Sequence, residues 1–67
     1  MKKVITDALR LHLEGHVAKH RTNVLIMLEN PMAIHDHTDY MQAIEDELAQ
    51  IAEYLDKLEA LEEVLAN

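Results

Sequence analysis

Apolar residues recur along the last third of the chain at alternating spacings of three and four residues. This is the a/d seam of a heptad repeat, the pattern by which one α-helix packs lengthwise against another. The intervening residues are mostly Glu, Asp, Gln, Lys and Ala, and all of these except Asp favour helix formation. The pattern predicts a helix over about residues 39–66. Its seam is formed by Met41, Ile44, Leu48, Ile51, Leu55 and Leu58, followed by Leu61 and Leu65.

An earlier apolar stripe at helical spacing predicts a first helix over about residues 3–29. Gly15 lies in its middle and costs about 1 kcal/mol relative to Ala, unless another backbone approaches closely there. We expect a continuous helix. The segment Val24–Leu28 is apolar on every side, so this end is expected to contact more than one neighbour. The stripe consists of Ile5, Leu9, Leu13, Val17, Val24 and Leu28.

The two predicted helices are separated by a connection over residues 30–38. Asn30 and Pro31 are expected to end the first helix, because proline cannot continue the hydrogen-bond ladder. Thr38 or Asp39 is expected to cap the second helix, and Asp39 with Gln42 has the spacing of a capping box. The loop residues of interest are Asn30, Pro31, His35, Asp36 and His37, the last three at a solvated tip or, alternatively, as ligands of a metal ion.

Length and composition limit the fold to one small all-α domain over residues 1–67. With 67 residues and no cysteine, the chain has neither a large core nor a disulfide framework. Small folds of this kind usually gain stability from partner subunits. We expect an antiparallel two-helix hairpin that dimerises into a four-helix bundle or forms a higher helical oligomer. The absence of cysteine also fits a cytoplasmic protein.

The net charge of −7 is unevenly distributed. Residues 1–30 carry five basic and three acidic residues, a net +2, whereas residues 31–67 carry one basic and ten acidic residues, a net −9. The acidic half argues against binding to nucleic acid or to anionic membranes. It is expected to be a solvated face or, alternatively, a surface that imitates nucleic acid and inhibits a host protein. Its acids include Glu45, Asp46, Glu47, Glu53, Asp56, Glu59, Glu62 and Glu63.

Three histidines, His12, His16 and His20, follow one another at intervals of four residues along one side of the first helix. His16 and His20, together with Asn23, are expected to form a polar layer in the helix interface. Burial would favour neutral rings and loosen the oligomer on acidification, unless an inward acid such as Glu47 or Glu53 reversed the effect. Alternatively, the three histidines are weak candidates for metal ligands. No catalytic constellation is present, so neither enzymatic activity nor a cofactor is expected.

A run of short motifs extends from the connection into the second predicted helix, over residues 30–59. Its residues are Asn30, Pro31, Ile34, His37, Asp39, Ala43, Ile44, Glu45, Ile51, Ala52, Asp56, Lys57, Leu58 and Glu59. In these residues the chain resembles a family of small proteins of unknown function from marine tailed phages, including cyanophages. The family pattern is Asn-Pro-x-Gly-Ile-Gly-Glu-His-x-Asp, followed by Ala-Ile-Glu, Ile-Ala and Asp-Lys-Leu-Glu. Ala33 and His35 replace its two glycines, and Asp36 replaces its Glu.

The resemblance implies a viral or marine metagenomic source, and therefore expression in a host bacterial cytoplasm. It implies no known activity and no catalytic residue. Together with the helix pattern, it leads us to expect a non-enzymatic phage accessory or structural protein. Such a protein would act as an oligomeric protein–protein interaction module. Its partners would be other copies of itself and a host or virion protein.

Overall fold

The computed structural model of this chain describes residues 1–29 and 37–66, with side chains from residue 39 onward in the second range. Helix α1 spans Lys2–Glu29 and helix α2 spans His37–Ala66. The two helices pack against each other. Arg10 pairs with Glu62 and His20 with Glu47, so residue numbers rise along one helix as they fall along the other. The prediction of an all-α antiparallel hairpin is confirmed for the described residues.

The start of α2 differs from the sequence prediction. The helix begins at His37, so Asp39 lies within the first turn rather than at the cap. A carboxylate in this turn is favourable because the amino-terminal end of a helix carries partial positive charge. Gln42 donates a hydrogen bond forward to Asp46, with 2.9 Å between Nε2 and Oδ1. The predicted loop residues Asn30, Pro31, His35 and Asp36 lie outside the described residues, as does the side chain of His37.

The core of the hairpin is small because two helices can bury only one narrow stripe each. Among the described residues, the side chains classed as buried are Leu13 and Val17, with 9% and 8% of their surface exposed. They lie one turn apart at the middle of α1. The half-buried apolar residues around them are Val24, Met27, Ala43, Ile44, Ile51, Leu58, Leu61 and Leu65.

Five residues predicted for the helix–helix core are exposed in the single hairpin. The predicted seam of α2 separates into two rows with a seven-residue spacing. The row containing Ile44, Ile51 and Leu58 is half-buried. The other row faces solvent, because one neighbouring helix cannot cover both. The exposed positions are Leu9, Leu28, Met41, Leu48 and Leu55.

The apolar end of α1 is also only partly covered. Val24 and Met27 are half-buried, while Leu25 and Ile26 each remain 55% exposed. Tyr40 of α2 donates a hydrogen bond from its hydroxyl to the Met27 carbonyl oxygen. The single hairpin thus provides one neighbour for this segment, on one side only.

Replacing Gly15 by Ala is expected to stabilise the helix by about 1 kcal/mol, because Ala loses less backbone entropy on folding. The backbone at Gly15 has no positive φ, and an added Cβ would meet nothing within 4 Å. The close-approach explanation for this glycine therefore does not hold within the hairpin. Urea denaturation at fixed protein concentration measures the change. A destabilised variant would indicate that another copy contacts this position.

Candidate functional site

One edge of the hairpin carries a cluster of polar and aromatic side chains at the interface between the helices. We call His16, His20, Asn23, Glu47 and Tyr54 the polar cluster. All five are half-buried. The four-residue spacing of the histidines aligns them on α1, and the seven-residue spacing of Glu47 and Tyr54 aligns these two on α2. The histidines and Asn23 were predicted to face inward, whereas Tyr54 was not, and Glu47 was assigned to the solvated face with an inward position only as an alternative.

Glu47 joins two residues of α1 through its two carboxylate oxygens. Oε2 lies 2.5 Å from His20 Nδ1, and Oε1 accepts a hydrogen bond of 3.2 Å from Asn23 Nδ2. The side chains of His20 and Glu47 are only 12% and 19% exposed. Glu47 was expected on the solvated acidic face, but it lies in the helix interface. The polar groups of α1 require a hydrogen-bond acceptor there.

Tyr54 provides a flat surface on which the histidine rings stack. The His16 ring lies parallel to it, with 4.2 Å between centroids and an interplanar angle of 3°. The His12 ring meets His16 edge-on, with 4.6 Å between centroids. Lys57 Nζ lies 4.7 Å from the Tyr54 centroid, within the range of a cation–π interaction. The rings thus pack the interface much as apolar side chains would.

The His16 ring is the least satisfied member of the polar cluster. Its Nδ1 atom is buried and has no hydrogen-bond partner in the described part of the chain. Burial lowers the pKa of His16 from its ordinary value of 6.5, and the positive charges of His12, Lys19, His20 and Lys57 lower it further. The neutral ring is therefore the form that this position accepts. Glu47, the inward acid of the cluster, is paired with His20.

The stability of the hairpin is expected to rise as the pH increases from the lowered pKa of His16 in the folded state to its pKa in the unfolded chain, about 6.5. Within that window the unfolded chain binds the additional proton, so acid favours unfolding. Thermal melting between pH 5 and 8 should therefore show a steeper pH dependence for the wild type than for His16→Phe. Phe retains a ring against Tyr54 but has no ionisable nitrogen. Equal pH dependence in the two proteins would contradict the prediction.

On the other edge of the hairpin, towards the chain termini, Arg10 links α1 to α2. Its Nε lies 2.7 Å from Glu62 Oε1, and its Nη1 lies 3.3 Å from Asp7 Oδ1. The hydrogen bond and charge of Glu62 raise the pKa of Arg10. The acids are about half exposed, so the bridge contributes little stability. The bridge does show which side of each helix lies on this edge.

The weak metal-ligand candidates His12, His16 and His20 have different surroundings. The first two rings are in contact, while the third is held by Glu47. A metal site usually requires at least three protein ligands. Within residues 1–29 and 39–66, no group of three or more His, Asp or Glu side chains is arranged to hold a metal ion. The second candidate group, His35, Asp36 and His37, falls on side chains outside these ranges.

Comparison of the chain with protein-family models, with curated proteins and with solved structures gives no match. Neither of the two described helices is long and apolar enough to cross a membrane.

Proposed function

We propose that this chain is a small oligomeric interaction module in which the hairpin forms part of a larger helical assembly. The observation that carries the proposal is the amount of apolar surface left open by the single chain. Many large apolar residues are exposed, far more than isolated surface leucines would account for. They are Met1, Val4, Ile5, Leu9, Leu11, Leu25, Ile26, Leu28, Met41, Leu48, Leu55 and Val64.

The dimensions of the hairpin support the same conclusion. Its accessible surface is 5277 Å². A compact monomer with a mass of 7.7 kDa would expose about 4,300 Å². Its radius of gyration is 15.4 Å, whereas a compact domain of this length has a value of about 11 Å. The chain is too extended to bury a sufficient core alone, and a second copy would supply the missing contacts.

A non-enzymatic role fits the way in which the reactive side chains are used. Glu47 is occupied by His20 and Asn23, and Tyr54 is covered by His16. These groups hold the two helices together. With the phage resemblance, this supports an accessory protein that acts in a host bacterial cytoplasm. There it would bind a host or virion protein and, because of its acidic half, neither nucleic acid nor membranes.

A histidine-based metal-binding function is the second candidate. Two observations favour it: the Nδ1 atom of His16 has no described partner, and the His12 ring is adjacent. Calorimetry with zinc, nickel and cobalt separates the candidates. Tight binding that is lost in His12→Ala and His16→Ala would favour the metal function. Unchanged weak binding in the two variants would leave the interaction module as the better explanation.

Sedimentation equilibrium at micromolar concentration tests the proposed assembly. We expect a mass of at least twice the chain mass of 7.7 kDa. The physical reason is that apolar surface is removed from water when copies associate. A stable 7.7 kDa monomer would overturn the proposal. A pull-down from a bacterial lysate with the intact oligomer then looks for the heterologous partner.

A further inference from the structure

The two edges of the hairpin differ in chemistry, and the Arg10–Glu62 ion pair identifies one of them. Arg21 follows Arg10 by eleven residues and Leu28 follows Arg21 by seven, so these three residues share one side of α1. Seven-residue steps place Met41, Leu48 and Leu55 on the same side of α2 as Glu62. We call this set the leucine edge. It consists of Arg10, Arg21, Leu28, Met41, Leu48, Leu55 and Glu62.

On the leucine edge, α1 covers less of α2 than it does on the edge that carries the polar cluster. The exposed fractions of Met41, Leu48 and Leu55 are 72%, 50% and 47%, and the three form a continuous row. A shallow groove beside this row is lined by Met41, Ile44, Glu45 and Leu48. In a complete helix–helix seam, both rows of apolar residues are buried. Here the second row has no facing helix in the single hairpin.

We propose that a second copy of this chain covers the leucine edge, with α1 of each copy packed against α2 of the other. This inference rests on the proposed oligomeric function and adds to it the face and the pairing of the helices. The principal extents of the hairpin are 49, 16 and 12 Å. The two longest extents outline a face of about 800 Å², which is comparable with the surface that each partner contributes to a standard stable interface.

Charge decides between the two possible pairings. Two leucine edges can be stacked by a two-fold rotation in two ways. In like pairing, α1 lies against α1 and α2 against α2; in unlike pairing, α1 of each copy lies against α2 of the other. Like pairing would bring Glu45 and Glu62 of α2 close to the same acids of the second copy. Unlike pairing places Arg10 and Arg21 of α1 beside those acids instead. Unlike pairing also alternates the more basic half of the chain, with a net +2 over residues 1–30, with the acidic half, with a net −9 over residues 31–67, whereas like pairing sets the two acidic helices side by side.

The unlike pairing has a geometric consequence. Its two-fold axis runs parallel to the helices, so equivalent residues of the two copies lie at the same position along the helix axis. Within one hairpin, His16 lies opposite Tyr54 and His20 opposite Glu47. Arg21 of one copy therefore lies near Leu48 of the other. This places an aliphatic arginine stem over the open leucine row.

Substitution of Leu48 by Lys tests the face. Sedimentation equilibrium should show the dimer dissociation constant raised by roughly a hundredfold or more, because each ammonium group would be buried beside the like charge of Arg21 from the other copy. Val64→Lys is the matched control, since it adds the same charge to α2 at a residue that is also exposed but not on the leucine edge. It should leave the dissociation constant nearly unchanged.

Cross-linking tests the pairing in otherwise wild-type interfaces. The chain has no cysteine, so Arg21→Cys and Leu48→Cys each provide one reactive thiol. The two variants are mixed and treated with a short bismaleimide. The main product should join an Arg21→Cys chain to a Leu48→Cys chain through the two introduced thiols. A predominant link between two Leu48→Cys chains would overturn the pairing, and an oligomer unaffected by Leu48→Lys would overturn the face. A monomeric wild type would instead overturn the proposed function itself.

Discussion

Replacing Leu13 by Ala is expected to lower the free energy of unfolding by about 2–5 kcal/mol, the usual cost of deleting a buried leucine side chain. Leu13 and Val17 are the two side chains classed as buried among the described residues. In so small a core, the cavity has few neighbours that can close around it. A loss of this size is a large fraction of the stability of a small domain.

Leu11→Ala provides the matched control, because Leu11 belongs to the same helix and is exposed. Its effect should stay within about 0.5 kcal/mol. Urea denaturation should be run at one protein concentration, since association shifts the apparent stability of an oligomer. If the two variants lost similar stability, the side of α1 that faces α2 would have been misassigned.

Hydrophobic periodicity predicts both helices because each extends over many turns. The start of α2 was predicted less well. Asp39 looks the same in sequence whether it caps the helix or lies in its first turn, since a carboxylate is favourable at either position. The structure starts α2 at His37, so the shift of two residues is of the size expected at helix ends.

The division of the seam of α2 could not be predicted from spacing. Ile44 and Leu48 are equally apolar and both belong to the heptad pattern, yet only the first packs towards α1. Which row faces the neighbouring helix depends on the rotation of α2 about its axis. That rotation depends on contacts between residues distant in sequence, such as His20 with Glu47.

The polar cluster was predicted from one helix only. The spacing of His16, His20 and Asn23 placed them inward on α1, and these residues are half-buried. Tyr54 was missed, and Glu47 was named only as one possible inward acid, because acids on an amphipathic helix usually face solvent. A signal was available in the seven-residue spacing of Tyr40, Glu47 and Tyr54, immediately beside the seam. An acid in such a row, opposite inward histidines, is a candidate partner for them.

Replacing Glu47 by Ala is expected to lower the free energy of unfolding by about 1–3 kcal/mol, the cost of leaving half-buried polar groups without partners. The carboxylate is the hydrogen-bond partner of both His20 Nδ1 and Asn23 Nδ2. Glu47→Gln should lose less, because the amide oxygen can still accept one of these bonds. Urea denaturation of the variants measures both effects.

Glu53→Ala is the control for the loss of an acid from α2. Glu53 pairs with Lys57 at 3.3 Å, and both side chains are about half exposed. A surface pair at this spacing contributes only about 0.3–0.5 kcal/mol. If removing Glu53 cost as much as removing Glu47, the loss would reflect the charge of α2 as a whole. A clear excess for Glu47 would show that the polar cluster is a stabilising element of the helix interface.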